Sequence, residues 1–305
     1  VVKYRFLQAD VFTRTPLAGN ALAIFPDARG LSGEEMQALA REMNLSETTF
    51  VLPSSRATRR LRIFTPAAEI PLAGHPVIGT WWVLTELGYV DGPVDGARRV
   101  TQETGRGVLP VDIHVTGGRP TRVEMVQAQP EFGATVGDRA ALAAVLGTHA
   151  DGIAADPAPQ VVSTAMPQLM VRVANLDALK ALPPGGAGAD LARYLRALGT
   201  DCVMCYTDET EAADATVQCR MFAPGLGVPE DPATGSAAGA LGAYLLRNHQ
   251  APLHDGVARL TVDQGNEMGR PSRIYVTVTA QDAERISEVR VGGEAVTVID
   301  GTAQL

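Results

Sequence analysis

Two pentapeptides half a chain apart constrain this sequence more than any other feature. Arg62-Ile63-Phe64-Thr65-Pro66 and Arg220-Met221-Phe222-Ala223-Pro224 share the pattern Arg-x-Phe-x-Pro, and they start 158 positions apart in a chain of 305 residues. Each copy is followed by a Pro/Gly-rich loop and then by a glycine that opens an apolar helical stretch, at Gly74-His75 and at Gly235-Ser236. Self-similarity at half-length points to two domains of one design rather than to a many-unit solenoid. The first helical stretch runs through Trp81-Trp82-Val83-Leu84 to Gly88, with Pro76 as its first position. The second, from Thr234 to Leu246, is rich in small residues. Both are apolar nearly all round, so both are expected inside a wrapping sheet. A helix N-terminus carries backbone N–H groups without intrahelical partners and the positive end of the dipole. Two such mouths facing one cleft would hold a small carboxylate.

The rest of the chain reads as strands with few helices. Tyr4 to Phe12 and Ala21 to Phe25 are strand runs, with Pro16 and Gly19-Asn20 marking the turn between them. Ser32 with Glu35 is a capping box, and Met36, Leu39, Ala40 and Met43 follow on one helical face up to Asn44. Glu47 then stands where that helix hands over to a strand ending at Pro53, a place from which side chains reach clefts. The cluster Arg56, Arg59, Arg60 and Arg62 lies in an alternating stretch and reads as a solvated strand edge. Strands are expected over about 97–127, helices near 137–146 and 188–198, and strands again over 258–304. The crossing between domains is placed at Gln127 to Pro130. The expected division is an N-terminal domain over 1–127, a C-terminal domain over 128–284, and a segment, 285–305, that returns to the first domain.

Composition excludes several classes. There are 26 Lys and Arg against 34 Asp and Glu, a net charge of −8 with pI near 5.2, so no concentrated basic footprint exists for nucleic acid. No apolar run reaches the length of a membrane span, and residues 1–12 lack a signal-peptide layout. Three cysteines are too few for a disulfide scaffold, and a reducing cytoplasm is the expected compartment. Cys202 and Cys205 form a C-x-x-C in an apolar stretch without a second pair at zinc spacing, so core packing is expected rather than a metal site. No phosphate loop, dinucleotide fingerprint or nucleophile elbow is present. Neither a cofactor nor a metal is expected.

Taken together, several motifs resemble the phenazine-biosynthesis (PhzF-like) family. They are Asp10-Val11-Phe12-Thr13 with Pro16-Leu17-x-Gly19-Asn20; Asn44 to Val51; and Ile63-Phe64-Thr65-Pro66-x-x-Glu69-x-Pro71-x-Ala73-Gly74-His75-Pro76 with Gly79-Thr80. Further on come Arg220 to Pro224 with Glu230 to Ala237, and Gln264-Gly265 with Gly269 to Ser272. The resemblance covers nearly the whole chain. It implies an α+β fold of the diaminopimelate epimerase type, two pseudo-symmetric domains, each a barrel-like, mostly antiparallel sheet around a central helix. It implies Glu47 as the acid/base residue, His75 and Asp231 in the same pocket, and Gly74, Gly235 and Ser236 as substrate-binding residues. It also implies a homodimer and an isomerisation that moves a proton between carbons, as in the family's conversion of a dihydro-hydroxyanthranilate. Ala21 stands where the family often has Pro, and Leu72 and Val77-Ile78 replace commoner neighbours. These departures bear on pocket shape and substrate identity.

The chemistry fits these residue types. A carboxylate in a partly apolar cleft can be tuned to give and take a proton near neutral pH, and Leu45, Phe50 and Val51 flank Glu47 in sequence. The fold's racemases and epimerases use a thiol at each helix mouth; here the mouths read Ala73-Gly74-His75 and Pro232-Ala233-Thr234-Gly235, so two-thiol epimerisation is excluded. Read without the resemblance, Glu47 is a junction residue, His75 a turn residue, Asp231-Pro232 a turn and Ser236 an N-cap. Two rival functions remain: proton transfer on an unrelated small acid, and a catalytically silent binding protein of the same fold.

Overall fold

The computed structural model describes residues 1–305. Residues 1–126 and 292–305 form one compact unit, and residues 127–291 form another. In the first, β1 (Lys3–Val11) pairs antiparallel with β2 (Asn20–Phe25), with Val11 opposite Asn20. Helix α1 (Gly33–Met43) follows, and the Ser32–Glu35 capping box forms in both directions. Asn44 ends α1 in the left-handed region, a conformation that Asn tolerates better than most residues. The chain then enters β3 (Glu47–Leu52), which runs parallel to β2 and antiparallel to β4 (Arg59–Phe64).

The arginine cluster does not lie on a sheet edge. β4 is paired on its other side too, by the short β5 (Glu69–Ile70) and by β6 (Gly96–Thr104). Arg62 in it makes a bidentate pair with Glu69, at 2.8 and 2.6 Å. Between β5 and β6 runs α2 (Gly74–Glu86), every residue of which from His75 to Thr85 is buried. Pro76 is its third residue rather than its first, and Gly88 follows it in the left-handed region. The antiparallel strands β7 (Gly107–Thr116) and β8 (Arg119–Val126) complete the wrap, and α2 packs on β1, β2, β3 and β8. An apolar cluster on the opposite sheet face, with Phe25, Met36, Leu39, Phe50 and Phe64, seats α1.

The second unit repeats this plan. β9 (Glu131–Thr135), α3 (Arg139–Leu146), β10 (Gln160–Ser163) and β11 (Pro167–Arg172) lead to α4 (Leu176–Ala181) and α5 (Ala189–Ala197). β12 (Val203–Thr207) is parallel to β11 and antiparallel to β13 (Val217–Ala223), and the short β14 (Val228–Asp231) pairs with β13. The central helix α6 (Gly235–Arg247) is buried along most of its length and packs on β10, β11, β15 (Val257–Gln264) and β16 (Ser272–Ala280). Its small residues permit this: a Cβ on Gly242 would stand 2.6 Å from a Val276 methyl. Helices α3, α4 and α5 cover the outer face, whose core includes Leu169, Val203, Cys205 and Phe222. After β17 (Ile286–Gly293), the strand β18 (Ala295–Gln304) pairs antiparallel with β1 along its whole length. The fold is thus mixed α+β, each unit a strand wrap around one central helix, and no helix is long and apolar enough to cross a membrane.

Candidate active site

Glu47 opens β3 directly after the left-handed end of α1. Alternation along the strand decides which way it points. Phe50 and Phe64 lie in the core under α1, so Glu47, of opposite parity to Phe50, faces α2. Phe50 therefore belongs to the other side of the sheet and does not line the surroundings of Glu47, contrary to what their nearness in sequence implies. The carboxylate lies against the first turn of α2, where Glu47 Oε2 is 3.3 Å from His75 Nε2. The side chains are 17% and 7% exposed, and the two facing atoms, Glu47 Oε2 and His75 Nε2, are both buried.

Burial fixes the charge of the imidazole. Loss of hydration pulls the His75 pKa from 6.5 down to about 3. At neutral pH the ring is uncharged, and the contact is a polar approach of carboxyl to neutral imidazole rather than an ion pair. A neutral ring carries one donor and one acceptor nitrogen. Depending on its tautomer, Nε2 can donate to a carboxylate or accept from a carboxylic acid. His75 is the second residue of α2, after Gly74, and the N-cap Ala73 has only a methyl group and makes no side-chain hydrogen bond to the helix mouth.

At the mouth of α6 the arrangement is different. Asp231 ends β14, and Thr234 Oγ1 donates to Asp231 Oδ2. Thr234 is the N-cap of α6, yet its hydroxyl is committed to Asp231 and makes no cap bond to the helix. Gln264, fully buried at the end of β15, ties the turn together. Its amide nitrogen donates to the Asp231 carbonyl at 2.6 Å, and its oxygen accepts from the Thr234 N–H at 3.2 Å. Gly265 must be glycine: its φ is +86°, and a Cβ would lie 2.4 Å from the Arg270 carbonyl and 2.6 Å from that of Pro232. Gly235 and Ser236 are the first two helical residues, so Ser236 is not the N-cap, and its carbonyl accepts from the buried Thr164 hydroxyl at 3.3 Å.

Each unit thus brings its own candidates together: Glu47, Gly74 and His75 in the first, Asp231, Gly235 and Ser236 in the second. Gln264 stands in a quoted motif but has no role assignable from sequence. Its signal is a lone amide that ends an alternating strand just before an obligatory glycine. A solvent-open concavity of about 520 Å³ lies elsewhere in the first unit, against Gly33, Gln37, Arg41 and the paired Arg62 and Glu69. Arg62 and Glu69 in its wall are paired with each other, and neither Glu47 nor His75 lines it.

The thiols play no part in either mouth as nucleophiles. Cys202, Cys205 and Cys219 are free and buried, and burial pushes the first two up to about 12 and the third well above its ordinary value.

Comparison with known proteins agrees with this architecture. A family model described as phenazine biosynthesis-like protein matches residues 9–301. The chain is 36% identical over 304 residues to the trans-2,3-dihydro-3-hydroxyanthranilate isomerase of Pseudomonas aeruginosa, covering 99% of this chain and all of that one. A crystal structure of the Bacillus anthracis phenazine biosynthesis protein, PhzF family, superposes with a TM-score of 0.91 at 30% identity over the full length of both chains. The fold alone extends to a hydroxyproline epimerase of Agrobacterium vitis, with a TM-score of 0.64 at 14% identity over 99% of this chain and 91% of that one. A match that spans both units and joins them to proteins named as isomerases places this chain among the isomerases of the phenazine-biosynthesis, PhzF-like family.

Proposed function

We propose that this isomerase moves a proton between carbons of a small cyclic carboxylate, with Glu47 as the proton carrier and His75 as its partner. The carrying observation is the 3.3 Å approach of Glu47 Oε2 to a buried, neutral His75. In the forward step Glu47 as carboxylate takes a proton from an acidic carbon; that C–H bond breaks and its electron pair moves into the substrate's conjugated system. Glu47 as carboxylic acid then delivers the proton to a second carbon, where a new C–H bond forms. The neutral imidazole suits both states, donating to the carboxylate or accepting from the acid. Asp231 is proposed as a further polar group of the same reaction, and the first turns beginning at Gly74 and at Gly235-Ser236 as holders of the substrate carboxylate. No metal or cofactor is required by these steps. We further propose that the protein works in the cytoplasm as a homodimer.

The substrate class is taken from the similarity to the Pseudomonas aeruginosa enzyme, which makes trans-2,3-dihydro-3-hydroxyanthranilate the first compound to test. Conversion is followed in D2O by wild type and by Glu47→Gln. Turnover by wild type, reduced about 10²- to 10⁴-fold in the variant, is the expected result. Full turnover by Glu47→Gln would refute the assignment of the carrier. Absence of conversion by folded wild type would redirect the search to other small cyclic acids.

A further inference from the structure

Gln168 is a buried amide with no structural occupation. It is fully buried in β11, and neither its side-chain nitrogen nor its side-chain oxygen has a hydrogen-bond partner in the protein. A buried polar group left in this way is costly, and native proteins rarely keep one without use for it.

Its direction and depth follow from strand register. Leu169 and Val171 belong to the core under α3–α5, so Gln168 and Met170 face the other way, towards α6. Depth can be read against the helix. Tyr206 stands level with Arg172 in the neighbouring strand, and its ring meets that of Tyr244 in α6, with centroids 6.1 Å apart. From Arg172 back to Gln168 is four strand residues, about 13 Å. From Tyr244 back to Gly235 is nine helical residues, again about 13 Å. The sense of travel is fixed by Thr164, in the turn between β10 and β11, whose hydroxyl bonds the Ser236 carbonyl. Gln168 therefore lies at the level of the α6 mouth and on the face that looks at it.

We propose that Gln168 is a specificity-determining residue, whose amide binds a hydroxyl-bearing part of the substrate at the α6 mouth. A hydroxyl both donates and accepts, and so can meet both atoms of the amide; a carboxylate or an ammonium would leave one of them unmet. The proposal rests on the reading that the Gly235-Ser236 mouth holds substrate.

The test is Gln168→Leu, which keeps the volume and removes the hydrogen bonding. Binding of two stable probes, 3-hydroxyanthranilate and anthranilate, is measured by calorimetry on wild type and variant, alongside thermal unfolding. The expected result is a loss of about 10- to 100-fold in 3-hydroxyanthranilate affinity, a much smaller loss for anthranilate, and a melting temperature unchanged or raised. Equal discrimination between the probes in both proteins, including binding of neither, overturns the proposal. So does a lowered melting temperature with discrimination intact, which would make Gln168 a structural amide. Because these probes need no turnover, failure of the isomerase reading shows separately, in the Glu47→Gln kinetics.

Discussion

The two helix mouths share a frame but not its fittings. Thr48 pairs with Phe64 in the first unit and Val203 with Phe222 in the second, so aligning the two phenylalanines makes Glu47 and Cys202 counterparts. By the same register, Leu22, beside Glu47, corresponds to Gln168. In both units the arginine of the repeat stacks over the phenylalanine two residues on, 5.1 Å from the ring centroid, and makes a bidentate pair with a downstream glutamate. The two units therefore share the device that holds the loop to the sheet, while the groups facing the helix differ. One mouth has a carboxylate against an imidazole; the other has an inert thiol beside an amide.

The sharpest way to break this contrast is kinetic. If the first mouth alone carries the proton, Glu47→Gln should cost about 10²- to 10⁴-fold in turnover, and an Asp231→Asn loss of the same size would show that the two units share the work. Next comes the arginine device. Arg220 and Glu230 are 2% and 6% exposed, whereas Arg62 and Glu69 are 21% and 42% exposed. Arg220→Met strands a buried carboxylate and should cost about 3–5 kcal/mol in urea unfolding, against about 1 kcal/mol or less for Arg62→Met. Equal costs would mean that burial does not distinguish the copies.

A smaller effect should be seen in acid. The folded-state pKa of His75 lies near 3, below its ordinary 6.5, so the unfolded chain takes up the proton first. The contribution of His75 to stability is complete above about pH 6.5 and is lost as pH falls towards 3. A His75→Gln variant should therefore lose stability less steeply than wild type across that range, as read by denaturant unfolding at several pH values. Smallest of all, the three thiols should ignore a thiol reagent at neutral pH until the protein is unfolded; rapid native labelling of Cys202 would make the second mouth more open than its burial allows.

Sequence reasoning reached the frame because the frame is local. The Ser32–Glu35 box, the left-handed Asn44 and the two apolar helices each announce themselves within a few residues. The Glu47–His75 contact was reachable only through the family resemblance, since it joins a strand start to a helix start with no pattern linking them. Helix α4 was missed because six residues are too few to display a period. Yet it explains why Arg220 can be buried: the Arg220 guanidinium donates to the carbonyls of Leu179, Lys180 and Leu182 at the end of that helix, as well as to Glu230. The arginine cluster was misplaced on an edge because charge was weighed without the pairing that β5 and β6 supply. Gln168 left no trace in sequence at all, since one amide in an apolar strand looks like noise until its surroundings are known.

The pairing of β1 with β18 also has a bearing on the order in which the protein is made. Lys3 meets Gln304 and Val11 meets Ala295, so β1 waits for a partner that is made only after the whole of the second unit. The second unit lies wholly between them in sequence and can close while synthesis is still under way. Contacts of such long sequence separation form slowly, because the chain must first bring its distant parts together. Meanwhile β1 offers only β2 as a neighbour, and its other edge stays open to stray pairing. The half that carries Glu47 thus cannot complete its sheet until β18 has been made, after the whole of the second unit.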